Sequence, residues 1–296
     1  MKLPAVPTPA ILPPVQPLGD EIRHLEAVAD RAWPPAEVAP CDGWQLRATG
    51  PGIGRRVNSV AALADGLLPL GERLALAEGF YRRRGLAPTF KLTAASLPAG
   101  LDGALAAAGY RLDAPVSVRT RALPAPLPTL PARLAAHPSA EWRRVNAAAG
   151  EHYGAAPRVF LELIDRIRAP LCFATVEDRE ETAAAGMAVA AEGWVGLFEI
   201  GTHPSHRRRG AARQVVGALL AWGAEQGASR AYLQVMPSNT AALALYQSLR
   251  FEEAYRYWYL VAPADGVRRD PPAAGAGGPQ PGAPPGPAAG LPSPSR

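Results

Sequence analysis

The stretch that decides the fold is WVGLFEIGTHPSHRRRGAA, residues 194–212. Its first nine residues, 194–202, predict a β-strand that is buried on both sides. Beyond them, apolar residues recur at helical spacing from Ala212 to Gly223, which predicts an amphipathic helix. The turn between the two therefore lies at a helix N-terminus, where backbone amides lack partners. Those amides and the small residues at 210–212 predict an anion site, most naturally for phosphate.

Two motifs in and after this stretch resemble those of the GNAT superfamily of N-acetyltransferases. Residues 207–212, RRRGAA, are similar to the family's pyrophosphate-binding signature, Arg/Gln-x-x-Gly-x-Gly/Ala. Residues 239–251, NTAALALYQSLRF, are similar to its N-x-x-A-x-x-L-Y-x-x-x-G-F segment, with Arg250 where glycine is usual. The resemblance extends over about residues 140–261.

This resemblance implies an α+β fold with two GNAT-like domains, each a central mixed, mostly antiparallel sheet flanked by helices. It implies acetyl-CoA as cosubstrate, bound where the strand before the turn separates from its neighbour. The implied contacts are Ile200, Gly201, Thr202, Arg207, Arg208, Arg209, Gly210, Ala211, Ala212, Arg213, Asn239 and Tyr246. Tyr246 would also be the catalytic acid beside the coenzyme A sulfur. The alternatives are a solvated helix start for the arginines, an N-cap for Asn239 and a packed core residue for Tyr246.

The general base is marked less clearly. Acetylation of an amine requires a group that takes up its proton near neutral pH. Glu199, on the strand before the turn, is the predicted catalytic base, and a paired structural carboxylate is the alternative. Gln234 stands where the ribosomal-protein alanine acetyltransferase branch has a glutamate, which argues against the mechanism and peptide-N-terminus substrate of that branch. The weaker candidates are Glu151, His152 and Tyr153, and the turn histidines His203 and His206 are expected at the surface.

Composition limits the other classes of function. The chain has 296 residues, a net charge of +5 and 2 cysteines without a disulfide framework, which favours a reducing compartment and predicts a cytoplasmic protein. No apolar run is long enough for a signal peptide or a membrane span, and no Cys/His spacing predicts a metal site. The mild positive charge lacks interleaved aromatic residues, so neither nucleic acid nor a membrane is an expected partner. A monomer or homodimer is expected.

Proline-rich segments divide the chain into two predicted domains. The predicted ranges are a disordered tail (1–17), a degenerate GNAT-like domain (18–122), a Pro-rich linker (123–140), a catalytic N-acetyltransferase domain (141–262) and a disordered Pro/Gly/Ala tail (263–296). The first domain has no Arg-x-x-Gly-x-Gly/Ala turn between Val60 and Glu72, so it is expected to be non-catalytic. An unrelated α+β domain is the alternative.

The expected activity is that of an acetyl-CoA-dependent N-acetyltransferase, which is an acyltransferase. A primary amine on a small molecule or a peptide would attack the thioester directly, with the acceptor in a groove between or beside the domains. A non-catalytic acyl-CoA-binding regulatory protein is the alternative, suggested by Gln234 and by the degenerate first half. Binding of nucleic acid through the arginines is the least favoured function.

Overall fold

The computed structural model describes residues 19–123 and 130–263, and its strands form one sheet of eleven in the order β1-β2-β3-β4-β11-β5-β10-β9-β8-β7-β6. The strands are β1 (Glu37–Cys41), β2 (Trp44–Ala48), β3 (Val60–Ala61), β4 (Thr89–Thr93), β5 (Arg111–Ala122), β6 (Arg133–Ala135), β7 (Leu171–Asp178), β8 (Glu181–Ala191), β9 (Trp194–Thr202), β10 (Arg230–Val235) and β11 (Glu252–Val261). The helices are α1 (Gly19–Ala32), α2 (Leu70–Arg82), α3 (Leu101–Ala107), α4 (Ala140–Ala149), α5 (His152–Ala155), α6 (Pro157–Arg166), α7 (Ala211–Glu225) and α8 (Thr240–Ser248), with a 3₁₀ turn at Pro204–His206. The predicted tails, apart from Pro263, and residues 124–129 of the predicted linker lie outside the described residues.

Short-range sequence signals account for many element boundaries. α1 buries one apolar face and ends before Pro34. α4 begins where Ser139 Oγ accepts a hydrogen bond from the Trp142 amide at 3.1 Å. No helix in the described part of the chain has the length and apolar character needed to cross a bilayer.

Helices cover both faces of the sheet around β8 and β9. Side chains of α1, α4 and α6 form one apolar cluster, which includes Trp33 and Phe198. Side chains of α7 form a second cluster on the other face, which includes Leu197. Because the consecutive residues Leu197 and Phe198 belong to different clusters, β9 is covered on both faces, as its apolar sequence predicted.

The two halves of the chain share strands, which corrects the prediction of one central sheet for each domain. β5, the last strand of the predicted first domain, pairs with β10 along one edge and with β11 along the other. β11, the last strand of the predicted second domain, also pairs with β4. The sheet therefore continues across the predicted boundary at residues 123–140, and the division of the chain into two domains stays a prediction.

A buried ion pair fixes the shared strands to α1. Lys91 on β4 pairs with Glu26 on α1, and the Tyr255 hydroxyl on β11 donates a hydrogen bond to Glu26 Oε1 at 2.7 Å. Burial acts to raise the pKa of Glu26, but the attraction of Lys91 and these hydrogen bonds hold it below its usual value. A charged pair in the interior requires this degree of compensation, since an unpaired buried charge is very costly.

We expect a fragment ending at residue 123 to be unable to fold alone. It would lack β11, which occupies the position between β4 and β5 and supplies the Tyr255 hydroxyl to Glu26. Circular dichroism of residues 19–123 should show no cooperative thermal transition, whereas co-expression with residues 130–296 should restore one. A cooperative transition of the isolated fragment at the temperature of the full chain would show that β11 is dispensable to the first half.

Candidate active site

The site begins where β9 and β10 separate. These parallel strands pair only over Trp194–Gly196 and Arg230–Tyr232, although β9 continues to Thr202 and β10 to Val235. From Leu197 onward, the edge of β9 that faces β10 has no strand partner among the described residues. The predicted opening of the strand ladder before the turn is therefore confirmed, and it leaves backbone groups free to bind a ligand.

A β-bulge lies at this opening. On the β8 side, the single residue Gly186 faces two residues of β9, Glu199 and Ile200, and Glu199 has the left-handed angle φ = 54°. A Cβ atom at Gly186 would lie 2.5 Å from Ile200 Cδ1 and 2.8 Å from Val215 Cγ1, so a larger residue would have to displace these side chains. The Gly186 carbonyl accepts a hydrogen bond from Trp142 Nε1 at 2.8 Å. The bulge interrupts the alternation of β9 and directs Glu199 to the face that carries α4 and α5.

The carboxylate of Glu199 is buried and fully engaged there. The side chain of Glu199 is 3% exposed. Its Oε2 accepts hydrogen bonds from Asn146 Nδ2 at 3.1 Å and from the His152 amide at 3.0 Å, and its Oε1 lies 2.7 Å from His152 Nδ1. Glu199 was the predicted base, but these bonds give it the environment of a paired structural carboxylate, which was the alternative.

The carboxylate of Glu151 lies in a different environment from that of Glu199. Its carboxylate has no hydrogen-bond or ion-pair partner within residues 19–123 and 130–263, and it is only partly buried. Burial raises its pKa to about 7, with a further upward contribution from the charge of Glu199 and a downward one from His152. A carboxylate with this pKa exchanges its proton near neutral pH, which is the range that a general base requires.

Two cavities meet at this carboxylate. The turn cavity, about 790 Å³, lies between the end of β9, the N-terminus of α7 and the start of α8. The strand cavity, about 590 Å³, lies between the separated ends of β9 and β10 and extends toward β5 and β11. Residues that line both cavities are Glu151, Ile200, Asn239, Ala242 and Tyr246.

Most of the predicted cofactor residues come together around the turn cavity. They are Ile200, Gly201, Thr202, Arg207, Arg208, Gly210, Ala211, Ala212, Arg213, Asn239 and Tyr246. Glu199 lines only the strand cavity. Arg209 lines neither, because its guanidinium pairs with Asp178 at 2.9 Å on the β7–β8 hairpin. The Arg213 guanidinium donates a hydrogen bond to Ser248 Oγ at 2.6 Å, which holds the start of α7 near the end of α8.

The N-terminus of α7 has the form of an anion cradle. Gly210 precedes the helix with φ = 88°, and a Cβ atom built on it would meet nothing within 4 Å. The amides of the first helical turn have no acceptor within the helix and point toward this space. Arg207 and Arg208 are exposed beside it, so the helix dipole and two positive side chains favour an anion at the same place.

His206 is a correction to the sequence prediction, which placed it at the surface. The His206 side chain is buried, and its two ring nitrogens contact Asp178 Oδ2 at 3.1 Å and Glu181 Oε2 at 2.9 Å. The hydrogen bonds to Asp178 and Glu181 raise the pKa of His206 above its usual value. The imidazolium therefore ties the turn to the β7–β8 hairpin, a contact between segments 25 residues apart that local spacing does not reveal.

Tyr246 and Asn239 occupy the junction of the cavities on α8. Tyr246 is 7% exposed, and its ring packs edge-on against Phe251 with centroids 6.0 Å apart. Burial and the nearby charge of Glu151 raise the pKa of Tyr246, so its hydroxyl stays protonated at neutral pH. Asn239 Oδ1 accepts a hydrogen bond from the Ala242 amide at 3.1 Å, which confirms its role as N-cap of α8.

Glu151, His152 and Glu199 form an acidic cluster. It has the composition of a metal site, which the sequence spacing did not predict. One ligand atom each from Glu151, His152 and Glu199 lie within 4.8 Å of one another. The hydrogen bonds between Glu199 and His152 account for both of these side chains without an ion. The arrangement is that of an acid–base cluster in which one carboxylate, Glu151, remains free to exchange a proton.

Comparison with known proteins shows the family. Over residues 19–260 the chain matches the family model described as probable histone acetyltransferase Rv0428c, C-terminal. It is 31% identical over 257 residues to the uncharacterized N-acetyltransferase YobR of Bacillus subtilis, over 82% of this chain and 99% of YobR. It is also 31% identical over 258 residues to the probable histone acetyltransferase Rv0428c of Mycobacterium tuberculosis, over 83% of this chain and 75% of that protein.

A solved structure shows the same fold. The GCN5-related N-acetyltransferase from Kribbella flavida superposes with a TM-score of 0.60 at 17% identity, over 81% of this chain and 95% of that chain. The family match includes the bulged strand, the turn and α8, which together form the two cavities. On these grounds the chain belongs to the Rv0428c C-terminal family of GNAT acetyltransferases.

Proposed function

We propose that the chain is an acetyl-CoA-dependent N-acetyltransferase that acetylates a primary amine on a small molecule or a peptide. The observation that supports it is the meeting of the two cavities at Glu151 and Tyr246. One cavity ends in an anion cradle and the other is open to an acceptor. A group that accepts a proton and a group that donates one therefore lie where the two substrates would touch.

The residues around the turn cavity fit coenzyme A. The first-turn amides of α7, with Arg207 and Arg208 beside them, would hold the pyrophosphate. The unpaired edge of β9 from Ile200 to Thr202 would align the pantetheine arm through backbone hydrogen bonds. When bound, the thioester supplies the acetyl group. YobR, over whose length the match extends, carries the description N-acetyltransferase, which supports an amine acceptor.

Glu151 is the proton acceptor in this proposal. With a pKa near 7, its carboxylate takes a proton from the ammonium form of the acceptor, directly or through one water molecule. Glu199, the base favoured by the sequence, acts through Glu151 instead. Its buried charge raises the pKa of Glu151, and its hydrogen bonds fix His152. Glu199 is therefore a positioning residue.

Tyr246 is the proton donor. Its raised pKa keeps the phenol protonated, and it lines both cavities, so the hydroxyl can donate its proton to the sulfur as the thiolate departs. The second proton that the attacking nitrogen loses as the amide forms then restores the phenol. A thiolate is a good leaving group, since the pKa of an ordinary thiol is only about 8.5. The contribution of this proton transfer is therefore smaller than that of Glu151.

The cosubstrate assignment is tested by placing a carboxylate in the cradle. Gly210→Glu should weaken acetyl-CoA binding by about 100-fold or more, since hydrogen bonds to charged groups contribute about 1.5–3 kcal/mol each. Gly227→Glu is the matched control, because Gly227 follows the other end of α7 with φ = 86° and equally open surroundings. Isothermal titration calorimetry with acetyl-CoA measures both. Equal affinity of the Gly210→Glu variant and the wild type would contradict the assignment.

The pH dependence of kcat/KM tests Glu151. Because the base acts when deprotonated, kcat/KM should rise with pH through about 7 and then level off. Glu151→Gln should remove this limb and lower turnover by about 10²–10⁴-fold. Glu199→Gln removes a neighbouring negative charge, so the limb should move to lower pH rather than disappear.

The control for these variants is Glu225→Gln, an exposed carboxylate at the end of α7. It should leave the pH profile unchanged. If Glu151→Gln kept the limb at its wild-type midpoint, the base would have to be sought elsewhere.

Tyr246→Phe tests the proton donor. It should lower kcat by about 10- to 100-fold, near the small end for acid–base groups, with little change in acetyl-CoA affinity. Steady-state kinetics and calorimetry together separate the two effects. A proportional loss of binding and turnover would assign Tyr246 a packing role against Phe251 instead.

A further inference from the structure

The lining of the strand cavity includes a positive charge as well as the acidic cluster. Arg56, in the loop between β2 and β3, reaches it from the first half of the chain. Its guanidinium lies over the rings of Trp33 and Phe198, 5.5 and 5.6 Å from their centroids. No carboxylate within residues 19–123 and 130–263 forms an ion pair with it. The partly buried Arg56 guanidinium contacts these rings and the Tyr257 hydroxyl, so it retains unused hydrogen-bond donors.

A chain of hydrogen bonds places a second donor, the side-chain amide of Gln234, near the Arg56 guanidinium. The side chain of Arg56 is hydrogen-bonded to that of Tyr257 on β11. The Tyr257 hydroxyl in turn donates its proton to Gln234 Oε1 on β10 at 3.0 Å. Because the Gln234 oxygen is thus occupied, its Nε2 group is left to donate, and this buried nitrogen has no partner among the described residues.

The lining of the strand cavity therefore contains groups of opposite charge. Where this cavity meets the turn cavity it has the carboxylate of Glu151, with Glu199 behind it. The same cavity also has two kinds of unused donor, the guanidinium of Arg56 and the amide of Gln234. A buried donor without a partner is costly, and a carboxylate bound by a guanidinium and an amide removes that cost with charge-assisted hydrogen bonds.

We propose that the acceptor is an amino carboxylate, whose amine lies at Glu151 and whose carboxylate is held by Arg56 and by Nε2 of Gln234. This inference rests on the proposed transferase function and specifies its substrate class. Arg56 is then a specificity residue that the first half contributes to the site. Cationic acceptors without a carboxylate, such as polyamines, are disfavoured because they would place positive charge against Arg56.

The same arrangement accounts for glutamine at position 234. The Gln234 amide can accept from Tyr257 and donate to a carboxylate at the same time. A glutamate there would accept from Tyr257 but would repel the acceptor's carboxylate. Gln234 argued against the mechanism of the ribosomal-protein alanine acetyltransferase branch, and here it has a role in binding the acceptor's carboxylate.

Matched acceptor pairs test the proposal. The probes are the twenty amino acids and a set of dipeptides, each with its C-terminal carboxamide, and thiol release from acetyl-CoA measures kcat/KM. At least one acid should exceed its carboxamide by about 100-fold, as expected for loss of one partner of a buried charged pair. Arg56→Met should reduce that ratio to near one while activity on the carboxamide and affinity for acetyl-CoA are kept. Gln234→Glu should also lower the ratio.

The control is Arg55→Met, since the neighbouring Arg55 is exposed and pairs with Asp113 at 2.5 Å. It should keep the wild-type ratio. Arg56→Lys retains the charge without the planar fork, so it should give an intermediate ratio and serves if the methionine variant does not fold. Thermal melting identifies such a folding failure.

Three results would overturn the inference: equal activity on acids and carboxamides, transfer only to amines without a carboxylate such as polyamines, and an acid preference that persists in both Arg56 variants. Failure of the transferase function itself is distinguishable, because no amine at all would then cause thiol release, whether or not the chain binds acetyl-CoA.

Discussion

One extra residue in β9 determines the geometry of the site. Because Gly186 faces both Glu199 and Ile200, the strand changes its alternation at this point, and Glu199 turns toward α4 and α5. There its carboxylate holds His152, and its charge adds to the burial that raises the pKa of Glu151 to about 7. Just beyond the bulge, β9 runs without a partner on its β10 side, toward the turn and α7. Without the bulge, strand alternation would place the Glu199 carboxylate on the opposite face of the sheet from His152.

Charged groups of both signs line the two cavities. Positive groups of the turn and the α7 N-terminus line the turn cavity, Glu151 lines both cavities, and Arg56 lines only the strand cavity. Glu151 is thus the carboxylate that attracts an ammonium group where the cavities meet. His206 ties the turn to the β7–β8 hairpin, and Asp178 draws Arg209 away from the turn cavity.

Features set by neighbouring residues could be predicted from the sequence, and features set by distant ones could not. The turn at Gly210, the start of α7 and the N-cap at Asn239 follow from local spacing, and the structure confirms them. Glu199 was favoured over Glu151 because strand alternation and sequence position do not report a bulge or a hydrogen-bond network. Arg56 could not be assigned, since its position depends on strands β5 and β11, which come from different halves of the chain.

The exchange of strands between halves also has a consequence for biosynthesis. β11 is the last strand of the described residues, and Arg119 on β5 donates to the Phe251 carbonyl across 132 residues of sequence. A ribosome releases the chain from its N-terminus, so β4 and β5 must remain unpaired on their facing edges until nearly the whole protein has emerged. Tyr257, which holds Arg56 and Gln234 in place, also arrives with that final strand. The strand cavity is therefore completed only after β11 has emerged, and no product truncated before Tyr257 could carry it.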